Sequence, residues 1–121
     1  MKVMGFSAGV VGRDSNVDRM VKSILAKCGH LTEYVKLTDL RYSGCKGCAQ
    51  LCAGLQVCML DDDLLPYYHK IKEADAIVIG SPVYSRYLNA NTLAFLERFF
   101  GFNHRTFTMR DKPLVFALSD C

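Results

Sequence analysis

The chain has 121 residues, half of them hydrophobic, which is enough for one domain with a real core. Its formal charge of +3 comes from scattered Lys and Arg with no basic tract, so no electrostatic case for nucleic acid exists. There is no run of 18 apolar residues to span a membrane and no signal-peptide core at the N-terminus, so the cytoplasm is the expected compartment.

In chain order, residues 2–7 read as a first strand. Residues 7–16 follow as a loop of small and hydrogen-bonding residues, including Gly9, Gly12, Arg13, Ser15 and Asn16. A helix is expected from Val17 to Cys28, because Val17, Met20, Val21, Ile24, Leu25 and Cys28 fall on one face. Ser15 and Asp18 suit a capping pair, and Gly29 suits the stop. A helix start facing such a loop is a ready anion site; a plain Gly-containing turn is the alternative. Neither the Walker spacing nor G-x-G-x-x-G is present.

Residues 31–37 suit a second strand, and a long connection to Met59 carries the cysteines. Asp61, Asp62 and Asp63 are expected to open a helix running to about Glu73, with carboxylates at its positive end and Pro66 near its first turn. The apolar run Ala76–Ile79 reads as a strand buried on both faces, ended by Gly80. Residues 81–85 then form a loop, a third helix spans about Asn91–Phe100, and residues 113–118 form a fourth strand. Alternating strands and helices imply a parallel sheet with right-handed crossovers. Residues 7–16, 81–91 and 119–121 should then meet at one edge, where open α/β sheets hold ligands. His30, His69 and His104 read as surface or loop residues, and Cys28 as a core thiol.

Four of the six cysteines crowd into one run, Cys45-x2-Cys48-x3-Cys52-x5-Cys58. Without an export signal, metal ligation is favoured over disulfides. Zinc ribbons use two separated C-x2-C pairs, and no second pair is present here. The single tight run instead suits a cubane iron–sulfur cluster, although its second gap is three residues rather than two and no Pro follows Cys58. Zinc and incidental core thiols remain the rivals.

The segments SAGVVGRDSNV (7–17), CKGCAQLCAGLQVC (45–58), MLDDDL (59–64), GSPVY (80–84), AFLERF (94–99) and KPLVFAL (112–118) together resemble the iron–sulfur flavoprotein branch of the NADPH-dependent FMN reductase family. The resemblance implies one flavodoxin-like domain over residues 1–121, a three-layer parallel sheet of order 2-1-3-4, truncated after strand four. The family's first loop usually reads G-S-P-R-x-x-G-N-[TS] and cradles the FMN phosphate. The resemblance thus places Ser7, Arg13, Ser15, Asn16 and Val17 around that phosphate. Phe6 here replaces a common Gly, the Pro-Arg pair is out of place, and Val17 replaces a hydroxyl residue. Pro82, Val83, Tyr84 and Ser85 match the loop along the isoalloxazine. Cys45, Cys48, Cys52 and Cys58 match the ligands of a [4Fe-4S] cluster.

The implied function is an FMN-dependent electron-transfer flavoprotein or oxidoreductase carrying an iron–sulfur cluster. NAD(P)H or a redox protein such as ferredoxin is its expected partner, and a homo-oligomer its expected assembly. One rival is a cluster-free NAD(P)H-dependent FMN or quinone reductase. Another is a cofactor-free, truncated interaction module.

Overall fold

The computed structural model describes residues 1–47, 52, 57–103 and 112–120. Five strands and three α-helices can be followed among them. They are β1 (Lys2–Ser7), α1 (Asn16–Lys27), β2 (Leu31–Lys36), α2 (Leu65–Glu73), β3 (Ala76–Tyr84), β4 (Tyr87–Leu88), α3 (Ala90–Glu97) and β5 (Leu114–Asp120). A 3-10 turn, Leu37–Asp39, follows β2, and another, Arg98–Asn103, follows α3.

The sheet order is β2-β1-β3-β5, with all three pairings parallel. This is the expected flavodoxin-like arrangement, in which β2 precedes β1 and the chain then crosses back to β3. The expected fourth strand is β5, because the two-residue β4 pairs antiparallel with the end of β3. That pairing makes Ser85 and Arg86 the centre of a two-residue hairpin, and both have positive φ, 51° and 71°. Such turns favour Asn-Gly because L side chains are strained there. The double substitution Ser85→Asn/Arg86→Gly is therefore expected to raise stability by about 1 kcal/mol. A urea midpoint that does not rise would count against this.

Side chains alternate between the two faces of the sheet. Met4, Phe6, Ile77 and Ile79 join Tyr68 and Ile71 of α2 and Phe95 of α3 in the larger core. Val3, Val78 and Ala117 pack with Val21 and Leu25 of α1 in the smaller one. The result is helix, sheet and helix in three layers. Phe6 and Phe95 have ring centroids 4.7 Å apart, and the Tyr68 hydroxyl donates to the Phe95 carbonyl at 2.6 Å.

α1 lies close on the sheet because Gly5 and Gly80 stand beneath it. A Cβ on Gly5 would come within 2.8 Å of Val21, and one on Gly80 within 2.8 Å of Val17 Cγ1. Gly80 is therefore not the strand end that its sequence suggested: β3 runs on to Tyr84, and residues 81–84 are strand rather than loop. Pro82 is tolerated there because β1 stops opposite Gly80, so β3 is beyond β1 at that point.

Two helix boundaries also differ from expectation. α2 begins at Leu65, with the Asp61–Asp63 triplet ahead of it and Pro66 in its first turn. The third helix ends as α at Glu97 and tightens into the 3-10 turn. Ser119, expected in a loop, belongs to β5. Leu114, Val115, Phe116 and Leu118 of β5 are 42–48% exposed. No described helix is long and apolar enough to cross a membrane.

Candidate functional site

The site grows from the carboxyl ends of β1 and β3. Beyond Ser7 the chain turns through residues 8–14 and enters α1 at Ser15, whose extended backbone makes it the N-cap. The expected capping pair is present. The Ser15 hydroxyl accepts from the Asp18 amide at 3.3 Å, and the Ser15 amide donates to Asp18 Oδ2 at 2.8 Å. Gly9 is needed where the loop folds back, since a Cβ there would meet the Ser15 hydroxyl and lie 2.6 Å from Asp18 Oδ1. Gly12, with φ of 84°, makes the outer bend.

Asp18 is fully buried and gathers hydrogen bonds from three elements. The Ser7 hydroxyl donates to it at 2.5 Å, the Ser15 hydroxyl at 2.9 Å, the Tyr34 hydroxyl at 3.0 Å and the Lys36 ammonium at 3.0 Å. Burial would raise its pKa. The bonds from Ser7, the Ser15 amide, Lys36 and the Ser15 hydroxyl outweigh that and hold it well below the usual carboxylate range. Tyr34 is pushed up to about 12, by burial first and then by its bond to Asp18, so its hydroxyl stays a donor at neutral pH. Asp18 thus ties β1, β2 and the start of α1 together beneath the loop.

Above it lies a cavity of about 280 Å³, lined by Gly9, Val10, Arg13, Ser15, Asn16, Val17, Pro82 and Ser119. Four of the five residues assigned to the phosphate, Arg13, Ser15, Asn16 and Val17, meet here with Pro82. Ser7 lies beneath, fully buried. Val83 and Tyr84 continue β3, half-buried and 43% exposed, and Ser85 is the exposed hairpin residue. On the other side of the loop a cavity of about 380 Å³ joins Ala8–Val11 to Thr38, Tyr84 and Asn89–Asn91. The two segments expected to meet, 7–16 and 81–91, therefore do so.

Sequence reasoning missed the part played by Asn89 and, beyond its place in the capping pair, the part played by Asp18; Ser119 lines the cavity at the edge where residues 119–121 were expected. Asn89 is the buried N-cap of α3: its Oδ1 accepts from the Thr92 amide at 3.0 Å and its Nδ2 donates to the Ala8 carbonyl at 2.9 Å. A cap residue ahead of a helical pattern was the available signal.

The cysteine segment is described in part. Cys48 and Cys121 lie outside the described residues, as do His104 and residues 110–111. Cys45 is exposed, with its amide donating to Glu97 Oε1 at 3.1 Å, whereas Cys52 and Cys58 are buried. Cys58 Sγ accepts from Arg98 Nε at 2.9 Å. Arg98, 1% exposed, also grips Asp62 with two nitrogens at 2.7 and 3.0 Å and donates to the Ser43 carbonyl at 3.1 Å. Burial works against its charge, but Asp62 and Cys58 outweigh this and raise its pKa. No three Cys, His, Asp or Glu side chains come together as a metal set among the described residues. Those residues alone do not assemble a cluster site. Cys28 is half-buried against the smaller core, as expected, and His30 and His69 are exposed.

Residues 1–119, from β1 almost to the end of β5, match the NADPH-dependent FMN reductase family. The chain belongs to that family. An iron-sulfur flavoprotein of Methanocaldococcus jannaschii is 35% identical over 101 residues, 81% of this chain and 51% of its relative. An iron-sulfur flavoprotein of Methanosarcina thermophila is 27% identical over 115 residues, 93% of this chain and 59% of that one. The chain thus spans about half the length of these curated relatives. Among solved structures, a flavone reductase superposes with a TM-score of 0.67 at 18% identity, covering 99% of this chain and 43% of the other, a likeness of fold.

The loop fits the flavin that the family name carries, on one observation. Asn16 and Val17, in the first turn of α1, line the cavity, and their amides have no hydrogen-bond partner among the described residues. Free amides at a helix start, with Arg13 beside them, suit an anionic group.

Proposed function

We propose that this chain is the flavin-holding part of an FMN-dependent oxidoreductase that exchanges electrons with a nicotinamide or with a redox protein such as ferredoxin. The observation that carries this reading is the cavity in which the start of α1, Pro82 of β3 and Ser119 of β5 converge. A bound flavin would supply the redox chemistry, taking or giving one or two electrons. The chain's own residues would bind and orient it. Arg13, Ser15, Asn16 and Val17 would border the phosphate, with Ser7 acting from beneath. Pro82, Val83, Tyr84 and Ser85 would lie along the ring, where backbone groups and the Tyr84 side chain offer hydrogen bonds and stacking.

FMN titrated into the purified chain is expected to lose its fluorescence with a one-to-one end point. The bound flavin is then expected to bleach on anaerobic addition of NADPH or a reduced ferredoxin. A colourless protein that leaves FMN fluorescence unchanged would reject this reading in favour of a cofactor-free module.

We also propose that Cys45, Cys48, Cys52 and Cys58 hold an iron–sulfur cluster. The cysteine spacing and the printed names of the relatives support this. Anaerobic purification followed by metal analysis is expected to find about four irons per chain, the stoichiometry of a cubane. Zinc, or no metal, would leave the plain FMN reductase reading.

A further inference from the structure

The loop contains three places where a hydroxyl could serve a phosphate, and none has a proton to offer. Val17 has no hydroxyl and is buried against Gly80. The Ser7 and Ser15 hydroxyls both donate to Asp18, at 2.5 and 2.9 Å. Each also accepts a backbone bond, Ser7 from the Gly9 amide at 3.2 Å and Ser15 from the Asp18 amide at 3.3 Å. A phosphate dianion presents only acceptors, so it cannot use a hydroxyl whose proton is already committed. Asp18 lies against Gly9 and Ser15, both of which line the cavity. A phosphate there would stand near a buried carboxylate, where screening by water is weak.

We infer that Asp18 sets the charge preference of this pocket. As a resident carboxylate beneath the loop, it occupies the hydroxyl donors and opposes a second anion. The pocket then holds a phosphate without the Ser7 and Ser15 hydroxyls and gains little from phosphorylation of the ribityl tail. This rests on the flavin reading above and adds to it the tail that the site discriminates. Lys36 is what makes the arrangement tolerable: its ammonium pairs with Asp18 at 3.0 Å and donates to the Arg13 carbonyl at 2.7 Å. Removing the charge of Asp18 while keeping its shape would release Lys36 and one or both serine hydroxyls toward the cavity.

The test is a pair of fluorescence titrations, with FMN and with riboflavin, on the wild-type chain and on Asp18→Asn. The quantity read is the ratio of the two dissociation constants, in which a general loosening of the pocket cancels. The wild-type chain is expected to prefer FMN by less than about a hundredfold, and Asp18→Asn to increase that preference by at least about tenfold. A wild-type preference above a hundredfold, or a ratio unmoved by the substitution, overturns the inference while leaving the flavin site standing. The wild-type arm decides even if the variant does not fold. If neither flavin binds to the wild type, the flavin reading fails and this inference fails with it.

Discussion

Arg98→Met is expected to destabilise the fold by about 3 kcal/mol, the lower end for breaking a buried ion pair. The side chain is fully buried, and Met replaces much of its length, so the loss is mainly polar. Its removal takes the guanidinium away from the Ser43 carbonyl, Cys58 Sγ and the Asp62 carboxylate, which keeps, among the described residues, only its bond from the Leu64 amide. Asp62 is 20% exposed and partly regains water, which is why the lower end applies. The face of Tyr68 also loses the guanidinium 5.4 Å from its ring centroid. Arg98→Lys is expected to recover only part of the loss, because one ammonium cannot reproduce a planar fork that reaches three partners. Urea denaturation of the three proteins checks this; a loss below about 1 kcal/mol for Arg98→Met would show the pair to be inert.

Gly80→Ala is the second large effect, expected at about 1–3 kcal/mol with a simultaneous loss of flavin affinity. The new methyl would collide with Val21 Cγ2 and lie 2.8 Å from Val17 Cγ1. Both neighbours are β-branched residues on a helix, whose χ1 has one strongly preferred setting, so relief must come from moving α1 off the sheet. The same movement would carry the Asn16 and Val17 amides away from Pro82 and Ser119. Denaturation and FMN titration should therefore change together. A stable variant with unaltered FMN affinity would mean that α1 can shift without disturbing the cavity.

The periodic elements were legible in the sequence. The apolar spacing from Val17 to Cys28 marks α1 to within a residue at each end, and the Ser15–Asp18 box is formed as its residue types imply. The parallel pairing followed from alternating strands and helices, and the strand order from the family resemblance. Gly80 was misleading because glycine ends strands and also admits close helices, and local sequence does not distinguish the two roles. The helix start after the three aspartates was missed because Leu64 caps α2 without a side-chain bond. At the site, it was the family resemblance that pointed to Arg13, Ser15, Asn16 and Val17 for the phosphate and to Pro82 for the ring. It did not reveal that Asp18 engages the serine hydroxyls, because Tyr34 and Lys36 arrive from β2, 16 and 18 residues further along the chain. The partnership of Arg98 with Cys58 spans 40 residues and was hidden for the same reason.

The position of β3 between β1 and β5 has a kinetic consequence. Met4 pairs with Ile77, and Ile77 with Leu114, so the middle of the sheet is stitched from strands far apart in the chain. Among the described strand pairings, only the small turn at Ser85–Arg86 closes a short loop. Little of the sheet can be rewarded before long loops have been closed, which places this topology among the slower folders. During synthesis β1 and β2 would emerge well before β3 is available, leaving apolar strand edges for a chaperone, or for another nascent chain, to find first.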